Sequence, residues 1–195
     1  MCEGIAKTVK LLCDAVGLEC IVALSHNAPE RGVKYRHAWN VVKLEGQWYH
    51  VDATFDNSLQ RGVKRYDYCC LDDKRIFRDH ERLVLPLPEC RDGDNFHYRK
   101  ISLTKPEQVD SRVKQALRKK EEHLVFHWRG GGLNRTILAQ LLELARTQAA
   151  AKGKQVGCAV NVTQAVIQLS FTDAPQELTV QQPDENREDV PAMEE

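Results

Sequence analysis

No run of about 18 apolar residues occurs anywhere in the chain, which excludes a conventional membrane-spanning helix. The opening MCEGIAKTVK lacks the basic-then-apolar layout of a secretory signal, so the chain as written is expected to be cytoplasmic, although a longer parent could be exported. There is no C-x2-C pair among seven cysteines, and the odd count with Cys69 beside Cys70 argues against a disulfide framework. Reduced thiols in a cytoplasm-like compartment follow, with Cys13, Cys20 and Cys158 expected as small core residues. Net charge is formally zero, so there is no overall basic excess for nucleic acid. The balance is uneven: residues 1–172 hold 27 bases and 20 acids, against one base and eight acids from Asp173 onward. The bases are scattered and not interleaved with aromatics, so no nucleic-acid or membrane partner is expected.

Ordinary globular material remains: 195 residues, 42% hydrophobic and 29% charged. Ile5, Val9, Leu12, Cys13 and Val16 predict a helix over 2–16 with one apolar face, stopped by Gly17. LECIVAL reads as a strand, and HNAPERGVKYR as a loop. HAWNVVKL and QWYHVDATF, separated by Glu45-Gly46, read as a hairpin. Residues 57–100 show no clean period; irregular structure with one helix at 72–81 is expected. Beyond 106, a helix, a strand (HLVFHWR), a helix capped by Asn134 and two strands (GCAVNVT, AVIQLSFT) follow. The organisation expected is a unit at 1–100, a small α/β unit at 106–172, and a disordered acidic tail at 173–195.

A two-residue turn at Glu45-Gly46 sets the hairpin register, so that Leu44 faces Gln47 and Trp39 faces Asp52. His37, Trp39, Asp52 and Thr54 then share a face, and His37 and Asp52 become diagonal neighbours within reach of a side-chain hydrogen bond. An aspartate on one ring nitrogen fixes the tautomer of a histidine and stabilises its imidazolium. Cys2 opens the predicted first helix, where unpaired N–H groups favour a thiolate. Thiol, imidazole and carboxylate are the parts of nucleophilic acyl transfer. Each residue also has a plainer reading: a strand histidine that packs, an aspartate that caps a turn, a cysteine in a helix core.

The runs CEGIAK at 2–7, HAWN at 37–40 and GQWYHVDATFD at 46–56 resemble the transglutaminase-like superfamily, more narrowly its bacterial transglutaminase-like domain proteins. RYDYCCLDD…RDH…LPEC at 65–90 is similar to the segment that follows that core, and the resemblance covers about 2–98. It implies an α+β, papain-like fold, a nucleophile helix packed on an antiparallel sheet. It also implies acyl transfer on peptide or side-chain amides, with a peptide or protein as substrate; no cofactor or metal is expected. Carried over by motif, Cys2 is the nucleophile, His37 the base and then acid, and Asp52 the orienting residue. Trp39, on the His37 face, is a candidate wall of the substrate site. Ala53 stands where the family often has proline. Family members carry a long stretch before the cysteine, and here only Met1 precedes it, so a weak catalyst from a truncated chain is expected.

Other readings stay open on the sequence. An interaction module could keep the fold without the chemistry. Cys69, Cys70, His80, Cys90 and His97 have zinc-ligand chemistry without zinc-ligand spacing. With Met1 removed, Cys2 could use its own α-amine as base. RGGGLNR at 129–135 could offer backbone N–H groups to an anion. Oligomeric state is not legible. Thiol titration of fresh, denatured protein is expected to count all seven cysteines; a smaller number would contradict the reduced reading.

Overall fold

The computed structural model describes residues 1–33, 35–92 and 96–174, and within them the protein is mixed α+β, with two four-stranded sheets and six helices. Helix α1 spans Cys2–Ala15. Its inward stripe is Cys2, Ile5, Ala6, Val9 and Cys13, at helical spacing. Leu12 and Val16, expected on that face, are exposed, and so is Leu11. Val16 already lies outside the helix as its C-cap. The end is a Schellman motif: Leu18 N–H reaches Cys13 O at 2.8 Å and Gly17 N–H reaches Asp14 O at 3.1 Å. Gly17 takes the left-handed φ of 76° that this closure needs.

The first sheet is antiparallel, in the order β1 (Cys20–Leu24), β2 (Ala38–Leu44), β3 (Gln47–Val51) and β4 (Cys69–Leu71). Leu44 pairs with Gln47 across a two-residue turn in which Glu45 and Gly46 both have positive φ, as a type I′ turn requires. The expected register holds down to the Asn40–Val51 pair. The second expected run does not continue as a strand. It stops at Val51, and α2 (Ala53–Ser58) begins, because Asp52 Oδ1 accepts the N–H groups of Thr54 and Phe55. Side-chain capping here overrides the β-propensity of the run.

The single helix expected at 72–81 is a shorter one, α3 (Asp73–Ile76), with Asp72 Oδ1 capping Arg75 N–H. Turns carry the chain on to His80, whose N–H bonds to Ile76 O at 3.1 Å. A helix not foreseen, α4 (Phe96–Ile101), precedes the second sheet. That sheet runs in the order β5 (Ser102–Leu103), β6 (His123–Trp128), β8 (Val166–Asp173) and β7 (Lys154–Asn161). Helices α5 (Pro106–Arg118) and α6 (Arg135–Ala150) pack on it through Val109, Val113, Leu141 and Ala145 against Phe126 and Leu169. Asn134 Oδ1 caps α6 at Ile137 N–H, as expected. Asp173 ends β8, and the tail expected from that residue otherwise lies outside the described residues past 174.

All seven cysteines are free thiols. Cys20 is buried and Cys13 half-buried, but Cys158, expected in the core, is exposed on β7, the outer strand of its sheet. No helix among the described residues is long and apolar enough to cross a membrane.

A buried polar seam joins the 61–75 segment and Tyr98 to the strands of the second sheet. Arg65 grips Asp67 through Nε and Nη2 at 2.9 and 2.7 Å and donates Nη1 to Gln168 Oε1. Gln168 Nε2 donates to Arg61 O, Asn161 Nδ2 to Asp67 Oδ2, and Tyr98 OH to Asp67 O. Beneath it, Asp56 on α2 is buried and accepts Tyr68 N–H at Oδ1, 2.9 Å. Burial raises the Asp56 carboxyl to about 8, against the opposing Tyr68 bond, with Asp67 adding to the rise. A carboxyl held protonated in the fold contributes stability below its unfolded value, and that contribution is lost as pH rises through about 8. Asp56→Asn is therefore expected to raise the melting temperature at pH 8 by about 4 °C or more, and by less at pH 5. No gain at pH 8 would contradict the buried neutral carboxyl.

Candidate active site

The site is built where β3 turns into α2. His37 immediately precedes β2, and its backbone N–H is anchored on Ser25 Oγ at 3.0 Å. Its ring reaches across to Asp52, with Nε2 2.5 Å from Oδ2. The two residues that the register made diagonal neighbours are thus hydrogen-bonded. Asp52 also does the capping that the plainer reading assigned it: Oδ1 serves the helix and Oδ2 serves the imidazole.

A second histidine, not singled out for this site, completes the arrangement. His80 Nε2 lies 2.8 Å from the same Asp52 Oδ2, and its Nδ1 lies 2.9 Å from Asp79 Oδ1. Tyr68 OH donates to Asp79 Oδ2 at 2.6 Å. Phe55 packs against both imidazoles, with ring centroids 4.8 Å from His37 and 4.6 Å from His80. In the sequence His80 stood out only as one of five residues with zinc-ligand chemistry and within the RDH of the 65–90 segment, and no spacing ties it to Asp52.

Burial alone would raise the Asp52 carboxyl. The hydrogen bonds from His37 and His80, the charge on His37 and the Phe55 N–H outweigh it and hold the group at about 2. Asp52 is therefore an anion throughout the neutral range. The His37 side chain remains 20% exposed, against 1% for Asp52, so the ring is the part of the pair that meets solvent. With Nε2 turned to the carboxylate, Nδ1 is the nitrogen left to act, and it makes no hydrogen bond among the described residues.

Trp39 is 1% exposed, and its ring stacks on His37 from inside the core at 5.8 Å, tilted by 18°. Its Nε1 donates to His50 Nδ1 at 2.9 Å, and His50 Nε2 in turn faces Asp73 Oδ1 at 2.8 Å. Trp39 thus packs behind His37. Asn40, on the other face of β2, donates Nδ2 to Ala6 O at 2.9 Å and fastens α1 to the sheet. Cys2, half-buried, is the first residue of that helix, which packs against β1, β2 and α2. Its Sγ makes no hydrogen bond among the described residues, with His37 or any other. Catalytic contacts are often long before substrate is bound.

Two groups of donors lie within 4.8 Å of one another: His37, Asp52 and His80, and His50, Asp73 and Cys90. Hydrogen bonds account for the His37–Asp52, His80–Asp52 and His50–Asp73 separations, while the Cys90 thiol donates to Pro88 O at 3.8 Å. His50 Nδ1 accepts from Trp39, so its proton sits on Nε2, facing Asp73, where an ion would have to displace it. Burial, with Asp73 and Asp72 nearby, pushes the Cys90 thiol up to about 12, which keeps it protonated. The five residues with zinc-ligand chemistry do not assemble. His80 sits on Asp52, Cys90 beside His50, Cys69 and Cys70 against each other at 3.8 Å, and His97 against Tyr66. Glycines 130–132 join β6 to α6.

No family model matches the chain. Among curated proteins it is similar to the kyphoscoliosis peptidases of Mus musculus and Homo sapiens, each 31% identical in an alignment of 68 residues, with 30% of this chain and 10% of each relative covered. The chain thus spans about a tenth of the length of the curated relatives it matches.

Because Asp52 serves two histidines and a helix end, Asp52→Ala is expected to cost about 2–4 kcal/mol of unfolding free energy at pH 7. A carboxyl with a depressed folded value contributes stability above its unfolded value and loses it as pH falls, here between about 4 and about 2. The deficit of the variant should shrink across that window in urea unfolding. A loss under about 1 kcal/mol at pH 7, or one independent of pH, would contradict this.

Proposed function

We propose that the protein is a transglutaminase-like cysteine acyltransferase or hydrolase acting on peptide or side-chain amides, with residues 1–100 as a papain-like core and 106–172 as an appended α/β unit. The observation that carries the proposal is the His37–Asp52 pair, a half-buried, solvent-reaching imidazole held through Nε2 by a buried, ionised carboxylate. The partial similarity to two proteins named as peptidases supports the same class.

In this reading Cys2 is the nucleophile, His37 the base and acid, and Asp52 the orienting group. His37 Nδ1 takes the Cys2 thiol proton as Sγ bonds to the amide carbonyl carbon. The tetrahedral adduct collapses, the C–N bond breaks, and the leaving amine takes that proton from Nδ1. A thioester remains. Water or a primary amine then attacks it, again deprotonated by Nδ1, and the thiol leaves and recovers its proton. Asp52 stays ionised throughout; it fixes the tautomer and stabilises the imidazolium in each half.

A second reading is an interaction module that keeps the fold without turnover. The unbonded Cys2 thiol and the exposed Leu11, Leu12 and Val16 on and beside α1 favour it. Iodoacetamide labelling at pH 6, followed by peptide mapping, separates the two. Acyl transfer requires Cys2 to react at least about tenfold faster than the other exposed thiols, with His37→Ala abolishing the difference. Equal rates in both proteins would favour the module. Release of ammonia or incorporation of a fluorescent primary amine into a glutamine peptide, lost in Cys2→Ala, would then identify the acceptor.

A further inference from the structure

Three histidines surround Trp39, and the proposed chemistry uses only one. His50 is accounted for as a neutral ring, accepting from Trp39 and donating to Asp73; burial, against the Asp73 bond, lowers its pKa. His80 has no such assignment. Its side chain is 1% exposed, and each of its nitrogens faces a carboxylate. An ionised carboxylate only accepts. Both His80 nitrogens must therefore donate, which only the imidazolium can do.

The neighbours make this a built arrangement. Asp79 is fixed on its far side by Tyr68 OH, which itself receives Asn161 Nδ2 at 3.2 Å. Asp52 is fixed on its far side by the first turn of α2. The titratable groups facing His80 are Asp52 from the start of α2, Asp79 beside it, Tyr68 ahead of β4, and His37 with ring centroids 5.4 Å apart. His50 lies across Trp39, and Glu81 and Arg82 follow in the chain. Burial works against charge on His80, but the bonds to Asp52 and Asp79 outweigh it and raise its pKa.

We propose that His80 is a positioning residue, a buried imidazolium clamped between Asp52 and Asp79 that holds the Asp52 carboxylate against His37. Oδ2 takes one donor from each histidine, and Oδ1 takes two backbone N–H groups. The carboxylate cannot turn toward or away from His37 without breaking the bond to His80. His80 bridges the two carboxyl groups, so Asp52 meets His37 already bonded on its other side. The functional consequence rests on His37 being the base of the proposed acyl transfer; the charge state of His80 does not.

Two measurements test the clamp. In histidine-15N protein, both ring nitrogens of His80 should show imidazolium shifts at pH 7.5, and Asp79→Asn should make the ring neutral at that pH. A neutral His80 ring in the unmodified protein at pH 7.5 would overturn the proposal. His80→Gln keeps an amide donor near the position of Nε2, while His80→Leu keeps volume without a donor. His80→Leu is expected to slow the His37-dependent alkylation of Cys2 by about tenfold or more, with His80→Gln retaining most of it. Equal loss in both, or no loss in His80→Leu, would overturn the positioning role. Should His80→Leu not fold, the nitrogen shifts and His80→Gln still decide: a neutral ring, or a tenfold loss in His80→Gln, overturns it. An imidazolium signature in a protein whose Cys2 reacts no faster than other thiols would uphold the clamp and defeat the acyl-transfer reading.

Discussion

One carboxylate organises the structure. Asp52 ends a strand, starts a helix and receives two histidines, and it does all of this with two oxygens. A buried anion is tolerable only when its lone pairs are filled by well-placed donors. Here four donors come from three parts of the chain: two N–H groups in the first turn of α2, the residue before β2, and the turn after α3. Those elements are held at the distances the carboxylate needs. The carboxylate in turn supplies the bonds that keep them there.

The arrangement extends well beyond the hairpin. From Asn161 at the end of β7 a chain of hydrogen bonds runs through Tyr68 OH, Asp79, His80 and Asp52 to His37. It begins on the second sheet and ends at the half-buried imidazole of His37. The buried Arg65–Asp67 pair beside it is satisfied by Gln168 on the guanidinium side and by Asn161 on the carboxylate side, as a charge pair removed from water must be, and Tyr98 OH holds the Asp67 main-chain carbonyl. The second sheet therefore bears on the His37 end of the first through fixed polar contacts, besides the apolar contacts of Val166 and Val125 with that core.

Much of this was legible in the sequence where physics is local. Glu45-Gly46 fixed a two-residue turn and hence the register, which brought His37 within reach of Asp52. Gly17 marked the end of α1, and Asn134 the start of α6. The end of β3 was decided locally, by side-chain capping against strand propensity, and the other departures were decided between segments. Asp52 could have continued a strand; its cap on Thr54 and Phe55 ended it. Leu12 carries the right periodicity for a buried face yet lies outward, because α1 turns Ala6 and Val9 to the sheet. His80 shows no sign of its role within 72–81, since its partner lies 28 residues earlier. Cys158 fits an apolar pattern but falls on the outer strand of its sheet.

The proposed chemistry needs from this scaffold an imidazole with one nitrogen committed and the other free, and that depends on Asp52 being an anion under all working conditions. The 13C resonance of the Asp52 carboxyl, followed from pH 7 downward, reads that state directly. That anionic state requires the signal to stay at its ionised position well below pH 4, with a midpoint at about 2. A midpoint near the ordinary aspartate value of about 3.9 would mean that neither histidine holds the carboxylate, and would contradict it.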